Sequence, residues 1–375
     1  MQRIRVGVLV PDLNLPGDAV GNDVAGMYKS LGRLGFECVV FTANPHAHGH
    51  IRSGTYQDAR AWLRRGDLLI YQYASGGQEP LEIARDVPCP TIVRYHNVTP
   101  GHFFRGISAE HERTADEAEN LLKEFLALPQ CYALSASRFS NEDLSTAGLP
   151  RQRTGVVPPF HVVDELLACA PVASSHDASG CINLLAVGRI APNKRVDLLL
   201  DSFAEVLART NLPLHLTIIG ERDPRLRPYH AMIDDIVGRR RLGCRVSFRE
   251  GVSTEELASC YRQADIFVTC SEHEGFCVPA IEAMAFGLPI VATSGSALPE
   301  TCESTAILCN EPMDFVDAIL ALVAERNLRD QFGKRGQARY REKFTNDLNA
   351  RALKRNLRRA RHPFLARLQS ILSIA

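Results

Sequence analysis

The sequence has no net charge, no long hydrophobic run and no closely spaced cysteine pair. Its 375 residues include 43 Lys and Arg against 43 Asp and Glu, so no overall field favours nucleic acid or another polyanion as a partner. No apolar run reaches the roughly 20 residues that a membrane-spanning helix needs. Eleven cysteines without a Cys-x-x-Cys pair match neither a disulfide framework nor a common zinc module. We therefore expect free thiols and a cytoplasmic protein.

Short apolar runs alternate with amphipathic stretches along most of the chain. In each half, segments typical of buried strands are separated by segments typical of helices, which predicts βαβ units and mainly parallel sheets. The length is enough for two domains of about 100–200 residues each. A small, polar stretch bounded by Pro171 and Gly180 is the best candidate linker. We predict an α/β protein with a first domain over 1–168, a linker over 169–180, a second domain over 181–345 and a C-terminal helix or tail over 346–375.

The most informative segment runs from Ser271 to Thr293. A buried strand ends there in a polar loop, Gly275 permits a tight turn, and Pro279 suits the first turn of a helix. A helix start leaves backbone N–H groups unpaired, which makes it a ready site for an anion such as a phosphate. The residues expected to form this site are Gly275, Phe276, Cys277 and Val278.

Two glutamates accompany this helix start, Glu274 just before it and Glu282 eight positions later. Helical side chains lean toward the N-terminus, so we expect Glu282 to reach the same pocket as Glu274. Carboxylates only accept hydrogen bonds, so the pair suits a polyhydroxyl ligand such as ribose or a hexose. The alternative is that both acids lie at a solvated helix start, where the helix dipole favours negative charge.

A basic loop follows the first strand of the second half and contains Arg189 and Lys194. An arginine can grip phosphate oxygens with two N–H groups and a lysine adds a compact charge, so the two together suit a diphosphate. Taken alone, a basic loop is more often a solvated surface.

The string from Glu274 to Thr293 resembles the signature of glycosyltransferase family 4, in which two glutamates are separated by seven residues. The resemblance implies a GT-B fold: two Rossmann-like domains facing a central cleft, with the acceptor in the first domain and the donor in the second. It also implies transfer of a hexose from a nucleotide diphosphate sugar to a hydroxyl group, with retention at the anomeric carbon.

The same resemblance implies roles for residues outside this string. In the family, an arginine and a lysine contact the donor diphosphate, and they match Arg189 and Lys194 here. Gly220 and Val252 match positions that frame the nucleotide. Gly17 matches a glycine in the loop after the first strand, where the backbone approaches the donor phosphate or the acceptor.

A histidine of the first domain faces the sugar in this family, and His96 matches it. Asn97 replaces the aspartate that is common after that histidine, so no carboxylate-assisted role is carried over to it. A lone histidine after a strand is more often structural, which is the alternative for His96. The expected catalytic residues are His96, Arg189, Lys194 and Glu274, and the expected nucleotide-binding residues are Gly17, Gly220, Val252, Gly275, Phe276, Cys277, Val278 and Glu282.

The substrates are indicated only by class. The donor is expected to be a GDP- or UDP-linked hexose, and the first half resembles a branch of bacterial mannosyltransferases that build surface polysaccharides, which favours mannose. The acceptor is a glycan, a glycolipid or a small molecule. No metal is expected, because the sequence has no Asp-x-Asp motif to hold a cation beside the phosphates. A nucleotide-sugar epimerase, a phosphorylase on the same fold and a non-catalytic nucleotide-sugar-binding partner of a transferase complex remain alternatives.

The segment from Asn346 to Ala375 carries seven basic residues against a single acid, Asp347. Leu353 and Leu357 belong to an apolar side of the same segment. Two interpretations stay open: the stretch before Pro363 packs on the first domain, or the tail attaches to anionic lipid at the inner face of the cell membrane.

Overall fold

The chain divides into two compact α/β units. The computed structural model describes residues 4–13, 18–43, 45, 50–129, 131–170 and 180–360, and the helical backbone of 361–372. Unit 1 comprises Met1–Pro100, Arg113–His161 and Thr345–Ala375, and unit 2 comprises Gly101–Glu112 and Val162–Phe344.

Unit 1 is built on a seven-stranded parallel sheet. Its strands are β1 (Arg5–Leu9), β2 (Glu37–Thr42), β3 (Ser53–Thr55), β4 (Leu68–Tyr73), β5 (Thr91–Tyr95), β6 (Tyr132–Ser135) and β7 (Thr154–Val156). Their order across the sheet is β3-β2-β1-β4-β5-β6-β7. The helices in this part of the chain are α1 (Ala19–Arg33), α2 (Tyr56–Trp62), α3 (Gln78–Asp86), α4 (Ala109–Leu126) and α5 (Arg138–Thr146).

Unit 2 is built on a six-stranded parallel sheet. Its strands are β8 (Ile182–Val187), β9 (Leu214–Ile219), β10 (Val246–Arg249), β11 (Ile266–Thr269), β12 (Ile290–Thr293) and β13 (Ala306–Cys309). Its helices are α6 (Val163–Ala168), α7 (Val196–Arg209), α8 (Arg227–Arg239), α9 (Thr254–Gln263), α10 (Val278–Phe286), α11 (Leu298–Cys302), α12 (Pro312–Ala324) and α13 (Arg326–Lys343). The strand order is β10-β9-β8-β11-β12-β13, which is the doubly wound order of dinucleotide-binding sheets.

Both sheets have their core on two faces. β4 and β5 are buried at every position, and so is β11 in unit 2, as expected for parallel strands that are covered by helices on both sides. In unit 2, α7 turns an apolar stripe toward the sheet because its buried residues recur at helical spacing; they include Leu199, Leu200, Phe203 and Val206. The predicted pair of parallel-sheet, Rossmann-like domains is confirmed.

The strand order fixes where each sheet can hold a ligand. In unit 2 the connections reverse direction between β8 and β11, so the loops that follow these two strands leave the same edge of the sheet side by side. Such a switch point at the carboxyl ends of the strands is the preferred ligand site of this architecture.

The boundary between the units differs from the predicted one. The first domain was predicted to extend to residue 168, but α6 belongs to unit 2, where it packs against α9 and α10. The reason is a set of hydrogen bonds: Arg262 Nη2 donates to the carbonyl oxygens of Leu166, Leu167 and Cys169 at 3.2, 3.3 and 2.6 Å. Most of the predicted linker, residues 171–179, lies outside the described residues.

A short segment after β5 also departs from the predicted division. Residues 101–112 belong to unit 2, although they were predicted to lie in the first domain. Phe104 explains the difference, because its ring is buried against Ala191 and Leu226 of unit 2. A hydrogen bond adds to this contact, between His111 Nε2 and Asp223 Oδ2 at 3.2 Å.

The last helix, α14 (Asn346–Leu372), belongs to unit 1. Leu353 and Leu357 are buried in the core of that unit, so the apolar side they form is not available to a membrane. Two asparagines attach the helix: Asn349 Nδ2 donates to the carbonyl of Pro159 at 2.9 Å, and Asn356 Oδ1 accepts from the Tyr132 hydroxyl at 3.0 Å.

The backbone of α14 continues through Pro363 without a break. No helix in the described part of the chain has both the length and the apolar character needed to cross a membrane.

Candidate active site

A buried asparagine joins the two loops at the switch point of unit 2. The Asn193 carbonyl, just after β8, accepts a hydrogen bond from Glu272 N at 2.9 Å, and Asn193 Nδ2 donates to the His273 carbonyl at 3.2 Å. Both partners lie in the loop after β11. The neighbours of these residues in sequence, Lys194 and Glu274, are thereby brought together.

Lys194 and Glu274 form a close ion pair, with 2.5 Å between Lys194 Nζ and Glu274 Oε1. Their side chains keep 19% and 12% exposure, so the pair is shielded from water yet open to a ligand. The backbone of Glu274 is fixed as well, because its N–H donates to Ser296 Oγ at 2.8 Å and its carbonyl accepts from Ala297 N at 3.2 Å. The charged pair therefore stands on a loop that is held from two sides.

The N-terminus of α10 follows this pair directly and is open. Cys277, the residue before the helix, has a positive φ of 74°, and its side chain makes no capping hydrogen bond to the helix. The backbone N–H groups of Phe276, Cys277 and Val278 donate no hydrogen bond within the described part of the chain. Thr301 Oγ1 donates to the carbonyl of Phe276 at 2.6 Å and so holds the turn in place. Unpaired N–H groups at a helix start are the feature on which the predicted anion site depends, and binding of an anion there stays a prediction.

Glu282 is buried inside α10 and has a partner that the sequence did not indicate. Tyr261 OH donates to Glu282 Oε2 at 2.6 Å, and the Tyr261 ring stacks on Phe286. Burial raises the pKa of Glu282 to about 7, while the hydrogen bond from Tyr261 lowers it. Glu274, by contrast, is paired with Lys194. The two predicted carboxylates are therefore held by different partners.

Arg189 lies in the loop after β8, and its exposed side chain makes no hydrogen bond or ion pair within the described ranges. Together with Glu221 and Arg225 of the loop after β9, it lines a cavity of about 600 Å³. The closeness of the two loops explains Gly220, because a Cβ there would lie 1.8 Å from the carbonyl oxygen of Gly188. Gly220 is thus required for packing, whatever its contact with a ligand.

Val252 lies half-buried in the loop after β10. The preceding residue, Gly251, donates its N–H to Glu221 Oε1 at 2.7 Å, which joins this loop to the one after β9. Gly17, the remaining predicted nucleotide-binding residue, lies outside the described residues. No cluster of three or more His, Cys, Asp or Glu side chains suited to a metal ion occurs among the residues that are described.

His96 follows β5 in unit 1, and its ring is held by buried polar groups. His96 Nε2 lies 2.6 Å from Gln72 Oε1 and 3.7 Å from Asp23 Oδ2. Its backbone N–H donates to the Tyr73 carbonyl at 2.9 Å. Burial lowers the pKa of His96 to about 4, so the imidazole is neutral at neutral pH.

A fully buried ion pair lies behind His96. Arg94 donates from Nε and Nη2 to the two oxygens of Asp23 at 3.0 and 3.1 Å, and from Nη1 to the carbonyl of Val157 at 2.6 Å. Asp23 also accepts from Phe160 N at 2.8 Å. Burial disfavours the Asp23 carboxylate, but the Arg94 guanidinium outweighs it and lowers the pKa of Asp23. Neither residue was predicted, because the two are 71 positions apart and belong to no motif.

Asn97, where the family has an aspartate, has a positive φ of 68° and is hydrogen-bonded to a carboxylate. Asn97 Nδ2 donates to Asp143 Oδ2 at 2.9 Å and to Ser140 Oγ at 3.1 Å. Burial raises the pKa of Asp143 to about 6. A carboxylate therefore does stand beside this position, but it is supplied by α5.

Two Rossmann-like units with parallel sheets are the components of the GT-B class of glycosyltransferase folds. A sucrose-phosphate synthase from Thermosynechococcus elongatus has the same fold as this chain, with a TM-score of 0.78 and 20% sequence identity, over 95% of this chain and 98% of the other. Residues 178–339 match the family model of glycosyl transferases group 1. This match covers most of unit 2, and it confirms the resemblance first seen in the string that begins at Glu274.

Two curated relatives add to this assignment. The chain is 40% identical to the mannosylfructose-phosphate synthase of Agrobacterium fabrum over 112 residues, which are 29% of this chain and 25% of the relative. It is 31% identical to the D-inositol 3-phosphate glycosyltransferase of Geodermatophilus obscurus over 196 residues, 48% of this chain and 42% of the relative. The aligned part of the chain thus spans less than half the length of these relatives.

The burial of Glu282 predicts a pH dependence of stability. An unfolded glutamate ionises near its ordinary pKa of 4.5, whereas Glu282 ionises near 7 when folded. As the pH rises from about 4.5 to 7, the unfolded chain loses this proton first, so the free energy of unfolding falls. Glu282→Gln removes the group and should gain stability relative to wild type over this range, by up to about 3 kcal/mol.

Urea unfolding of both proteins at several pH values between 4.5 and 8 measures this difference. Glu82→Gln, a change at an exposed glutamate of α3, serves as the control and should leave the pH profile as it is in wild type. Parallel profiles for Glu282→Gln and wild type would show that Glu282 has an ordinary pKa.

Proposed function

We propose that the protein is a retaining glycosyltransferase that moves a hexose from a nucleotide diphosphate sugar to a hydroxyl group of an acceptor. The observation that carries this proposal is the Lys194–Glu274 ion pair next to the open N-terminus of α10. A cation, an acceptor of hydrogen bonds and a set of free N–H groups converge at the switch point of the sheet. A diphosphate attached to a polyhydroxyl group needs this combination.

The positive charge at this site is proposed to stabilise the departing diphosphate. The N–H groups of Phe276, Cys277 and Val278 point their dipoles at it, and Lys194 adds a full charge. Arg189 has no protein partner in the described ranges and is therefore available for phosphate oxygens. Charge of this kind accelerates transfer by stabilising the negative charge that develops on the leaving group. These groups also make a divalent metal unnecessary in the proposed reaction.

The two glutamates are proposed to bind different parts of the donor. Glu274, whose Oε1 is paired with Lys194, offers Oε2 to the hydroxyl groups of the hexose. Glu282, whose Oε2 is occupied by Tyr261, offers Oε1 to the ribose. Val252 and Gly220 lie on neighbouring loops and are assigned to the nucleotide.

Retention at the anomeric carbon is what the resemblance to family 4 implies, and we propose a route to it. A double displacement needs a carboxylate beneath the sugar ring, whereas Glu274, already paired with Lys194, is assigned to the sugar hydroxyl groups. The proposed alternative is attack from the same face as the leaving group. The bond from the anomeric carbon to the phosphate oxygen breaks, the acceptor oxygen bonds to that carbon, and the acceptor proton passes to the departing diphosphate.

The relatives support a choice of substrates. One of them is named as a mannosylfructose-phosphate synthase and the other as a glycosyltransferase of D-inositol 3-phosphate. We therefore propose mannose as the first sugar to test, with GDP or UDP as the nucleotide. The proposed acceptor is a hydroxyl group of a glycan, a glycolipid or a small polyol.

We expect the positive charges of Lys194 and Arg189 to increase the turnover number of the enzyme. Lys194→Ala and Arg189→Ala should each lower kcat by about 100-fold, because the charge they supply matters most as the diphosphate leaves. The measurement is release of nucleoside diphosphate together with chromatography of the sugar product, with and without EDTA, which should have no effect. Arg241→Ala, a change at an exposed arginine of the same unit, is the matched control.

The products separate the alternatives. A glycosylated acceptor supports the transferase, free or epimerised sugar indicates an epimerase, and a sugar phosphate indicates a phosphorylase. Binding of nucleotide sugar without any product indicates a non-catalytic partner. Loss of activity in EDTA that Mg²⁺ or Mn²⁺ restores would contradict the metal-independent reaction.

We also propose that α14 brings the protein to the inner face of the cell membrane through charge. Every exposed side chain between positions 351 and 360 is basic: Arg351, Lys354, Arg355, Arg358 and Arg359. None of them forms an ion pair with a described residue. Each such charge near an anionic lipid surface is worth about 1 kcal/mol. Since the apolar residues of this stretch are buried, the contact would be electrostatic, without insertion.

Liposome flotation tests this contact. The triple change Lys354→Glu, Arg355→Glu and Arg358→Glu should abolish binding to vesicles with phosphatidylserine, and 0.5 M salt should do the same for wild type, as expected for screened charges (about 4 Å Debye length). The matched control reverses three charges on α13: Lys334, Arg341 and Lys343. Binding that survives high salt, or no binding by wild type, would refute the proposal.

A further inference from the structure

Two oxygen atoms face the same nitrogen of His96. Gln72 Oε1 lies 2.6 Å from His96 Nε2, and Asp23 Oδ2 lies 3.7 Å from it. An oxygen at hydrogen-bond distance from a ring nitrogen requires a proton between them, because two lone pairs repel each other. Nε2 must therefore carry the proton in the neutral ring.

A hydrogen bond to a sulfur atom fixes the orientation of the Gln72 amide. Its Nε2 donates to Met27 Sδ at 3.6 Å, and a thioether sulfur can only accept. The amide oxygen is thus left to face His96. Gln72 is fully buried in β4, so no water competes for either end of the amide.

The second oxygen is held in place by charge. Arg94 binds both oxygens of Asp23 and also donates to the carbonyl groups of Ser135 and Val157. All of its contacts are buried, and Asp23 is kept ionised. A negative charge on this side of the ring further favours a proton on Nε2 over one on Nδ1.

The other ring nitrogen has no such partner. His96 Nδ1 makes no hydrogen bond with a described residue, and the side chain keeps 11% exposure. A neutral imidazole protonated on Nε2 has a lone pair on Nδ1 and can only accept there.

We infer that Gln72 is a positioning residue that fixes His96 in its Nε2–H tautomer, so that Nδ1 accepts a hydrogen bond from a hydroxyl group of a substrate bound to unit 1. This inference rests on the proposed function, because it presumes a polyhydroxyl substrate. Gln72 does not touch that substrate; it acts through the ring of His96. The ring is an acceptor that orients a hydroxyl group, and it remains neutral throughout.

The tautomer can be observed without any activity. Two-bond ¹H–¹⁵N correlation spectra of the full chain labelled at histidine distinguish a protonated from a bare ring nitrogen, and His96→Asn identifies the signals of His96. We expect wild type at pH 7 to show a protonated Nε2 and a bare Nδ1. A protonated Nδ1 in wild type would overturn the inference.

Two substitutions of Gln72 then separate its role from mere packing. Gln72→Met has nearly the same shape but offers no oxygen, so we expect a mixture of tautomers and a threefold to tenfold loss of kcat, about the worth of one hydrogen bond. Gln72→Glu keeps an oxygen in place and should retain the Nε2–H tautomer. Its charge adds to Asp23 and opposes Arg94, so it should raise the pKa of His96 and move the acid limb of the rate profile to higher pH.

The control is Tyr71→Phe, a change at the neighbouring position of β4. Tyr71 is as deeply buried as Gln72, and its hydroxyl has no hydrogen-bond partner among the described residues, so both the tautomer and turnover should stay as in wild type. If Gln72→Met leaves tautomer and turnover unchanged, Gln72 has no positioning role. If the tautomer shifts as expected but wild type transfers no sugar, the assignment of the tautomer stands and the proposed function fails.

Discussion

The candidate active site of unit 2 depends on the join between the loops after β8 and β11. Strand order places these loops side by side, but it does not fix their register. The buried Asn193 does so, since it bonds to the backbone of Glu272 and His273. Lys194 can then meet Glu274 at 2.5 Å, and the N–H groups at the start of α10 follow in the same loop. The chemistry proposed for the site requires all of these groups within one ligand's reach.

In unit 1, a buried ion pair likewise joins separate elements next to a candidate site residue. The Asp23–Arg94 pair connects α1 to β5, and Arg94 also donates to carbonyl groups at the end of β6 and just after β7. A buried charge pair costs desolvation energy and is poor evidence of stability by itself. Its position directly behind His96 gives it a further role, because it sets the field in which that ring is protonated.

Much of the fold and part of the site could be predicted from the sequence. The alternation of apolar and amphipathic segments predicted parallel sheets, and a contiguous string predicted the loop and helix that carry Glu274 and Glu282. The short strands β3 and β7 were not predicted, because three residues show no periodicity. Nor was a continuous α14 expected beyond Pro363, where a proline usually ends a helix.

The partners of the site residues could not be predicted, for a physical reason. Tyr261 lies 21 positions from Glu282, and Gln72 lies 24 positions from His96, each on a different element. The first pair joins α9 to α10 and the second joins β4 to the loop after β5, so both are made by tertiary packing, and nothing in the local sequence records them. The attachment of α6 to the rest of unit 2 through Arg262 could not be predicted for the same reason.

A crystal structure with GDP or UDP bound tests the position of the donor site most directly. We expect the diphosphate to accept hydrogen bonds from the N–H groups at the start of α10 and from Lys194 Nζ, and a ribose hydroxyl to donate to Glu282. A nucleotide whose phosphates lie away from Lys194 and α10 would contradict the central claim that the switch point of unit 2 is the donor site.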